Sequence, residues 1–136
     1  MTGAGAALAA AARSYVGVPF RLHGRSRAGL DCVGLLGCAL TDCGRRATLP
    51  TAYGLRNRDA EHLLAAFAPA GFARPPAGAA LRVGDVVVVT PGPAQQHLLI
   101  ATDDPGFIHA HAGLRRVVLS IGPLPWPVHQ HWRLSS

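Results

Sequence analysis

The spacing of apolar residues changes character about half-way along the chain. From Ala4 to Val16 an alanine-rich run meets Gly17 and then Pro19, which predicts a helix that stops there. A glycine-bearing loop, Arg21 to Leu30, leads to Asp31, after which Leu35, Leu36, Ala39 and Leu40 fall on one helical face. Asp31 suits the N-cap of that helix, which is expected to run from Cys32 to about Cys43 with Gly44 as the residue after its end. A third helix is expected near Asp59 to Ala68, where Leu63, Leu64 and Phe67 come together before Pro69 and Gly71. Beyond Val83-Gly84-Asp85 the pattern is β: Val86 to Val89, His97 to Thr102, Phe107 to His111, Arg115 to Ser120 and Val128 to Leu134 read as strands. Pro and Gly separate them, most clearly in Asp103-Asp104-Pro105-Gly106. Helices first and an antiparallel meander afterwards predict an α+β domain, N-terminal helices packed on a C-terminal antiparallel sheet. No repeat or long linker divides the 136 residues, so residues 1–136 are expected to form one domain.

Composition narrows the classes. Hydrophobic residues make up 49% and charged residues 15%, with a mean hydropathy of +0.24, which excludes a disordered chain. The most apolar stretches, Val86 to Val89 and Leu98 to Ala101, are strand-length, far short of the ~20 residues of a bilayer span, so no membrane insertion is expected. Thirteen basic residues against 7 acidic give a net charge of +6, and every basic residue is Arg. Such a surface favours anionic partners, nucleic acid, acidic wall polymer or lipid headgroups among them. The arginines are dispersed, adjacent only at Arg45-Arg46 and Arg115-Arg116, and no basic stripe alternates with aromatics; a nucleic-acid partner is not expected. Met1 to Ala12 lacks the positive start of a secretory leader, so the chain is expected to be cytoplasmic at synthesis.

The cysteines, at 32, 38 and 43, lie in one predicted helix, with neighbours at least about 7.5 Å apart along its axis. That exceeds disulfide reach, and free thiols are expected. Cys32 stands apart because it opens the helix, where unpaired amides and the helix dipole favour a thiolate; a lowered pKa and fast alkylation near pH 6 are expected. A thiol nucleophile needs a base and the base needs an orienting partner. His97 begins one strand, and His109 and His111 share a face of the next. Pairing across an odd turn of about five residues would set His97 opposite His109 and diagonal to His111; spacing alone permits either as the partner. Zinc is the rival reading, since His109-x-His111 and His129-x-His131 have ligand-like spacing, but Cys32 and Cys43 are about 16 Å apart along the helix. No metal or cofactor is expected. His23, His62, His129 and His131 are read as structural or exposed. The serines at 14, 26, 120, 135 and 136 lack a nucleophile-elbow setting.

These residues also carry a resemblance. Tyr15-Val16-Gly17-Val18-Pro19-Phe20, His23-Gly24 and Gly29-Leu30-Asp31-Cys32-Val33-Gly34-Leu35 resemble the catalytic-helix segment of the NlpC-type cell-wall cysteine peptidases, whose pattern is Gly-x-Pro-Tyr, a glycine loop and Asp-Cys-Ser-Gly. Arg82-Val83-Gly84-Asp85-Val86-Val87 is similar to the family's Pro-Gly-Asp-Leu strand start. His97-Leu98-Leu99-Ile100 is similar to its histidine strand, and Phe107-Ile108-His109-Ala110 to the strand bearing its third polar residue. The resemblance implies a papain-like α+β domain that cleaves peptidoglycan stem peptides, typically beside a D-γ-glutamyl residue. It makes Cys32 the nucleophile, His97 the base and His109 the orienting residue, and it places Asp31, Phe20 and Val33 at the substrate. Phe20 stands where the family has Tyr, and Val33 where it has Ser. The run Asp-Cys-Val-Gly-Leu looks like the phage-tail and gene-transfer-agent branch, which implies phage-like tail proteins as partners and action from a particle on the wall. The competing class is an inactive tail or binding module on the same fold.

Overall fold

The computed structural model describes residues 3–46, 49, 64–91, 96–103 and 105–135. Helix α1 spans Ala4–Arg13, and turns carry the chain through Tyr15 and Val16 to Gly17, whose φ of +94° suits only glycine well. The small strands β1 (Arg25–Ser26) and β2 (Gly29–Leu30) form a hairpin inside the glycine loop. Helix α2 follows at Cys32–Asp42, with Asp31 as N-cap, its side chain accepting from the Gly34 amide, and Cys43 as C-cap. The third predicted helix lies mostly outside the described residues; of its apolar positions, Phe67 is fully buried and Leu64 packs on the core.

The remaining strands are β3 (Phe72–Ala73), β4 (Val86–Val89), β5 (His97–Ala101), β6 (Gly106–His111), β7 (Arg116–Ile121) and β8 (Val128–Leu134). They form one antiparallel sheet in the order β3-β8-β4-β5-β6-β7, so the domain is α+β with both helices on one face of the sheet. Alternation explains how both faces are used. Val86, Val88, Leu98, Ile100, Ile108 and Ala110 point toward α1 and α2 and join Leu8, Leu35, Leu36 and Leu40 in the main core. Val87, Val89, Leu99, Ala101 and Phe107 point the other way, into a second cluster covered by Leu124 and Trp126 of the β7–β8 connection. That double burial accounts for the unbroken valine run of β4. Among the described residues, no helix is long and apolar enough to cross a membrane.

The edge strand β7 is covered on its free side by the segment after α1: the Gly17 amide donates to the Val117 carbonyl, Val117 to Val18, and Phe20 to Arg115, each at 2.8 Å. This lays Pro19 and Phe20 beside the sheet and beneath the hairpin, where Phe20 bridges to Leu30.

A buried carboxylate ties the middle of the chain to its last strand. Asp85, 1% exposed, accepts the Arg82 amide, two hydrogen bonds from Arg133 at 2.9 Å, and a contact from His131. Burial alone pushes its carboxyl up, but Arg133, the Arg82 amide and His131 outweigh it and hold Asp85 below the usual carboxylate range. A depressed carboxylate stabilises the fold fully above its unfolded value, near 4, and that contribution fades as pH falls through the lower folded value. Asp85→Asn should therefore cost about 3 kcal/mol at pH 7, because it leaves Arg133 without its charge partner. In urea melts the gap to wild type should close below about pH 4; a gap unchanged at low pH would show that the carboxylate charge is not what holds β8.

Candidate active site

Asp31 organises the start of α2. It is 1% exposed, and its two carboxylate oxygens accept the Gly34 amide at 2.8 Å and the His23 amide at 2.7 Å. One side chain therefore caps the helix and pins the glycine loop to it, holding His23 at a positive φ of 61°. Gly34 allows the close approach: a Cβ there would lie 1.9 Å from the Gly24 carbonyl oxygen. With the Gly34 amide taken by Asp31, the Val33 and Cys32 amides are the ones turned toward the Cys32 sulfur, and the Leu98 amide of β5 meets the same sulfur from the sheet. Cys32 thus sits between the helix start and the residue next to His97. Cys38 and Cys43 lie further along the helix, and all three cysteines are free.

The histidines occupy the sheet face that the helices leave. Strand β5 pairs with β6 through Ile100 with Ile108 and Ala101 with Phe107. Continued along the strands, that register sets Leu99 level with His109 and His97 level with His111, two residues from the predicted pairing. The connection runs from Thr102 to Gly106, where the Thr102 amide donates to the Gly106 carbonyl, and it is centred one residue later than a turn symmetric about Asp103. His109 nonetheless meets His97, on the diagonal: His97 Nε2 and His109 Nδ1 are 2.8 Å apart. His111 accepts the Leu114 amide at 3.0 Å instead and so braces the β6–β7 turn, its ring centroid 5.5 Å from that of His109.

The diagonal continues into β7. There His109 is level with Val118 and Phe107 with Ser120, and His109 Nε2 lies 2.9 Å from Ser120 Oγ. Trp126 stands edge-on to both imidazoles, its centroid 5.9 Å from His97 and 6.3 Å from His109. Ser120 and Trp126 were not legible as site residues. From sequence Ser120 offers itself only as a nucleophile, and its place depends on the β6–β7 register. Trp126 sits in a Pro-rich connection without periodicity.

Burial governs the charges. It pushes the Cys32 thiol up to about 11; the Leu98 amide opposes it, the Asp31 charge adds to it, and the Val33 and Cys32 amides compensate too little. The expected low pKa of Cys32 is thus not met, because desolvation of the sulfur exceeds the pull of the helix start. His97 is lowered to about 3 by burial and by the neighbouring His109 and His111, and His109 to about 4 by burial and His111. At pH 7 the Cys32 thiol and the His97 and His109 imidazoles are therefore neutral. Of the residues expected at the substrate, Asp31 is engaged as above, Phe20 is half-buried against the core, and Val33, 2% exposed, lies within the core. Among the described residues no group of three His, Cys, Asp or Glu side chains could hold a metal ion.

The NlpC/P60 family profile matches residues 17–124, which takes in α2, the histidine strands and Ser120. The chain belongs to the NlpC/P60 family. The fold agrees with solved structures. NlpC2 from Trichomonas vaginalis superposes with a TM-score of 0.69 at 16% identity over 98% of this chain and 48% of that one. The NlpC/p60 domain of the peptidoglycan hydrolase SagA gives 0.59 at 23% identity, covering 86% of this chain and 88% of that one. The peptidoglycan hydrolase RipB from Mycobacterium tuberculosis gives 0.62 at 21%, covering 97% and 65%. The chain spans about half the length of the Trichomonas protein. No curated protein sequence matches it.

The charge state of this family member's cysteine can be read directly. Site-resolved iodoacetamide labelling should show no advantage for Cys32 over Cys38 or Cys43 at pH 6, and Cys32 should react more readily only as pH approaches its raised pKa of about 11. Preferential labelling of Cys32 at pH 6 would mean that the helix start outweighs burial after all.

Proposed function

We propose that this protein is a cysteine peptidase hydrolysing amide bonds in peptidoglycan stem peptides, with Cys32 as nucleophile, His97 as base and His109 orienting it. The observation that carries the reading is the His97–His109 pair at 2.8 Å, with a cysteine at a helix start whose sulfur is met by the amide of Leu98, the residue after His97. Family membership and the peptidoglycan hydrolases SagA and RipB among its structural neighbours support the substrate class.

In the resting site both groups are neutral, so the proton passes when the substrate is attacked. The sulfur electron pair forms the bond to the amide carbon as the thiol proton moves to His97, and the carbonyl electrons collect on the oxygen. Amides of Cys32 and Val33 at the helix start suit that oxyanion. His97 then delivers its proton to the leaving amine, and water releases the acyl group by the same route in reverse. Asp31 serves the substrate indirectly, by fixing the loop and the helix start. The burial of Val33 makes its replacement of a family serine a packing difference, which favours an active enzyme over an inactive module. The finer reading is cleavage beside a D-γ-glutamyl residue by a phage-like tail component; it rests on the motif resemblance, with the Asp31–Leu35 run carrying the tail assignment.

Purified protein incubated with muropeptides, with products identified by mass spectrometry, tests the reading. Cys32→Ala and His97→Ala should each lower turnover by roughly a thousandfold or more with the melting temperature largely kept, and a chelator should change nothing. His109→Ala should be severe and His111→Ala mild. Because protonation removes the base and His97 and His109 are lowered to about 3 and about 4, the acid limb of kcat/KM should fall near pH 4 or below rather than near the ordinary 6.5. Loss of activity with chelator and its return with zinc would overturn the thiol mechanism.

A further inference from the structure

His109 is 2% exposed, yet each of its ring nitrogens has a partner: Nδ1 lies 2.8 Å from His97 Nε2, and Nε2 lies 2.9 Å from Ser120 Oγ. A neutral imidazole has one N–H and one lone pair, so the two contacts are coupled, and the direction of one proton fixes the other. For His97 to take a proton on the nitrogen that does not face His109, its own proton must sit on Nε2 and point at His109 Nδ1. His109 must then carry its proton on Nε2 and needs an acceptor there. Once His97 is charged, both its nitrogens are donors, and this is the one polarity left to the pair.

We propose that Ser120 is a positioning residue for the Cys32–His97 chemistry: its hydroxyl accepts the His109 Nε2–H and so commits His109 to present a lone pair to His97. No proton crosses to Ser120; one proton moves, from the Cys32 sulfur to His97, and the rest of the row holds its direction. Serine suits the end of the row because a hydroxyl can accept while its own O–H turns elsewhere, and Ser120 also lines a cavity of about 300 Å³ with His111 and Trp126. The effect on rate rests on the peptidase reading, whereas the proton position in His109 does not.

Replacing Ser120 by Ala strands a buried N–H. His109 is then driven to the other tautomer, whose Nδ1–H donates into His97 and moves the His97 proton onto the nitrogen that should be a base. Ser120→Thr keeps the hydroxyl. Full-length protein with isotope-labelled histidine reports the tautomer through imidazole nitrogen shifts, alongside muropeptide turnover. Wild type and Ser120→Thr should show His109 protonated at Nε2. Ser120→Ala should lose that signature, and its kcat should fall roughly ten- to hundredfold with KM little changed, the size of the His97–His109 hydrogen bond once His97 is charged, which the flipped tautomer forfeits. His109 protonated at Nδ1 in wild type, or a folded Ser120→Ala protein with unchanged tautomer and kcat, would overturn the assignment. Should wild type cleave no muropeptide, the peptidase reading fails while the nitrogen shifts still decide the part played by Ser120.

Discussion

The register between β5 and β6 decides which side chains can meet on the open face of the sheet. Extended from the Ile100–Ile108 and Ala101–Phe107 pairs, that register sets His97 level with His111 and His109 with Leu99, while β6 and β7 pair His109 with Val118 and Phe107 with Ser120. The polar row therefore climbs one step per strand, from His97 through His109 to Ser120, and each link is a diagonal. Diagonal neighbours on a sheet stand ~7–8 Å apart, too far for short side chains but suited to an imidazole that hydrogen-bonds at both ends. A one-residue slip would turn the histidines into the helix-packed core. The apolar positions that alternate with them, Leu98, Ile100, Ile108 and Ala110, resist that slip by being buried against the helices.

The same arrangement sets the electrostatics. Trp126 and the second apolar cluster strip water from the imidazoles, and adjacent histidines disfavour each other's charge, so both effects act in one direction. At the thiol, burial opposes the helix start and prevails. Burial thus leaves the Cys32 thiol and the His97 and His109 imidazoles uncharged in the resting protein.

Much of this was legible from residue order. The limits of α2, its Asp31 cap and β8 at Val128–Leu134 follow from local chemistry, since caps, turn residues and alternation act over a few positions. His109 was selected by motif resemblance although the turn placed His97 two residues out of register, because the count within Thr102–Gly106 depends on hydrogen bonds that composition does not reveal. The thiol's charge state escapes the sequence for a related reason: a helix start is visible in residue order, while the protein packed around the sulfur is not. Ser120 required two registers to be known at once, and Val33, expected at the substrate, turns inward because the first turn of α2 sets its direction.

The placement of β8 has a bearing on how the molecule comes to be assembled. Although late in the chain, it lies inside the sheet between β3 and β4, so nothing before Val128 can close that gap. Until it arrives, the valine run of β4 presents an unpaired edge, the kind of segment that recruits other chains. Most of its pairings join residues more than forty apart in sequence, among them Val86 with Trp132, which places folding on the slow, non-local side of the topological range. Helix α2 and its cysteine can form early, but the sheet against which they pack is completed by the strand synthesised last among those described.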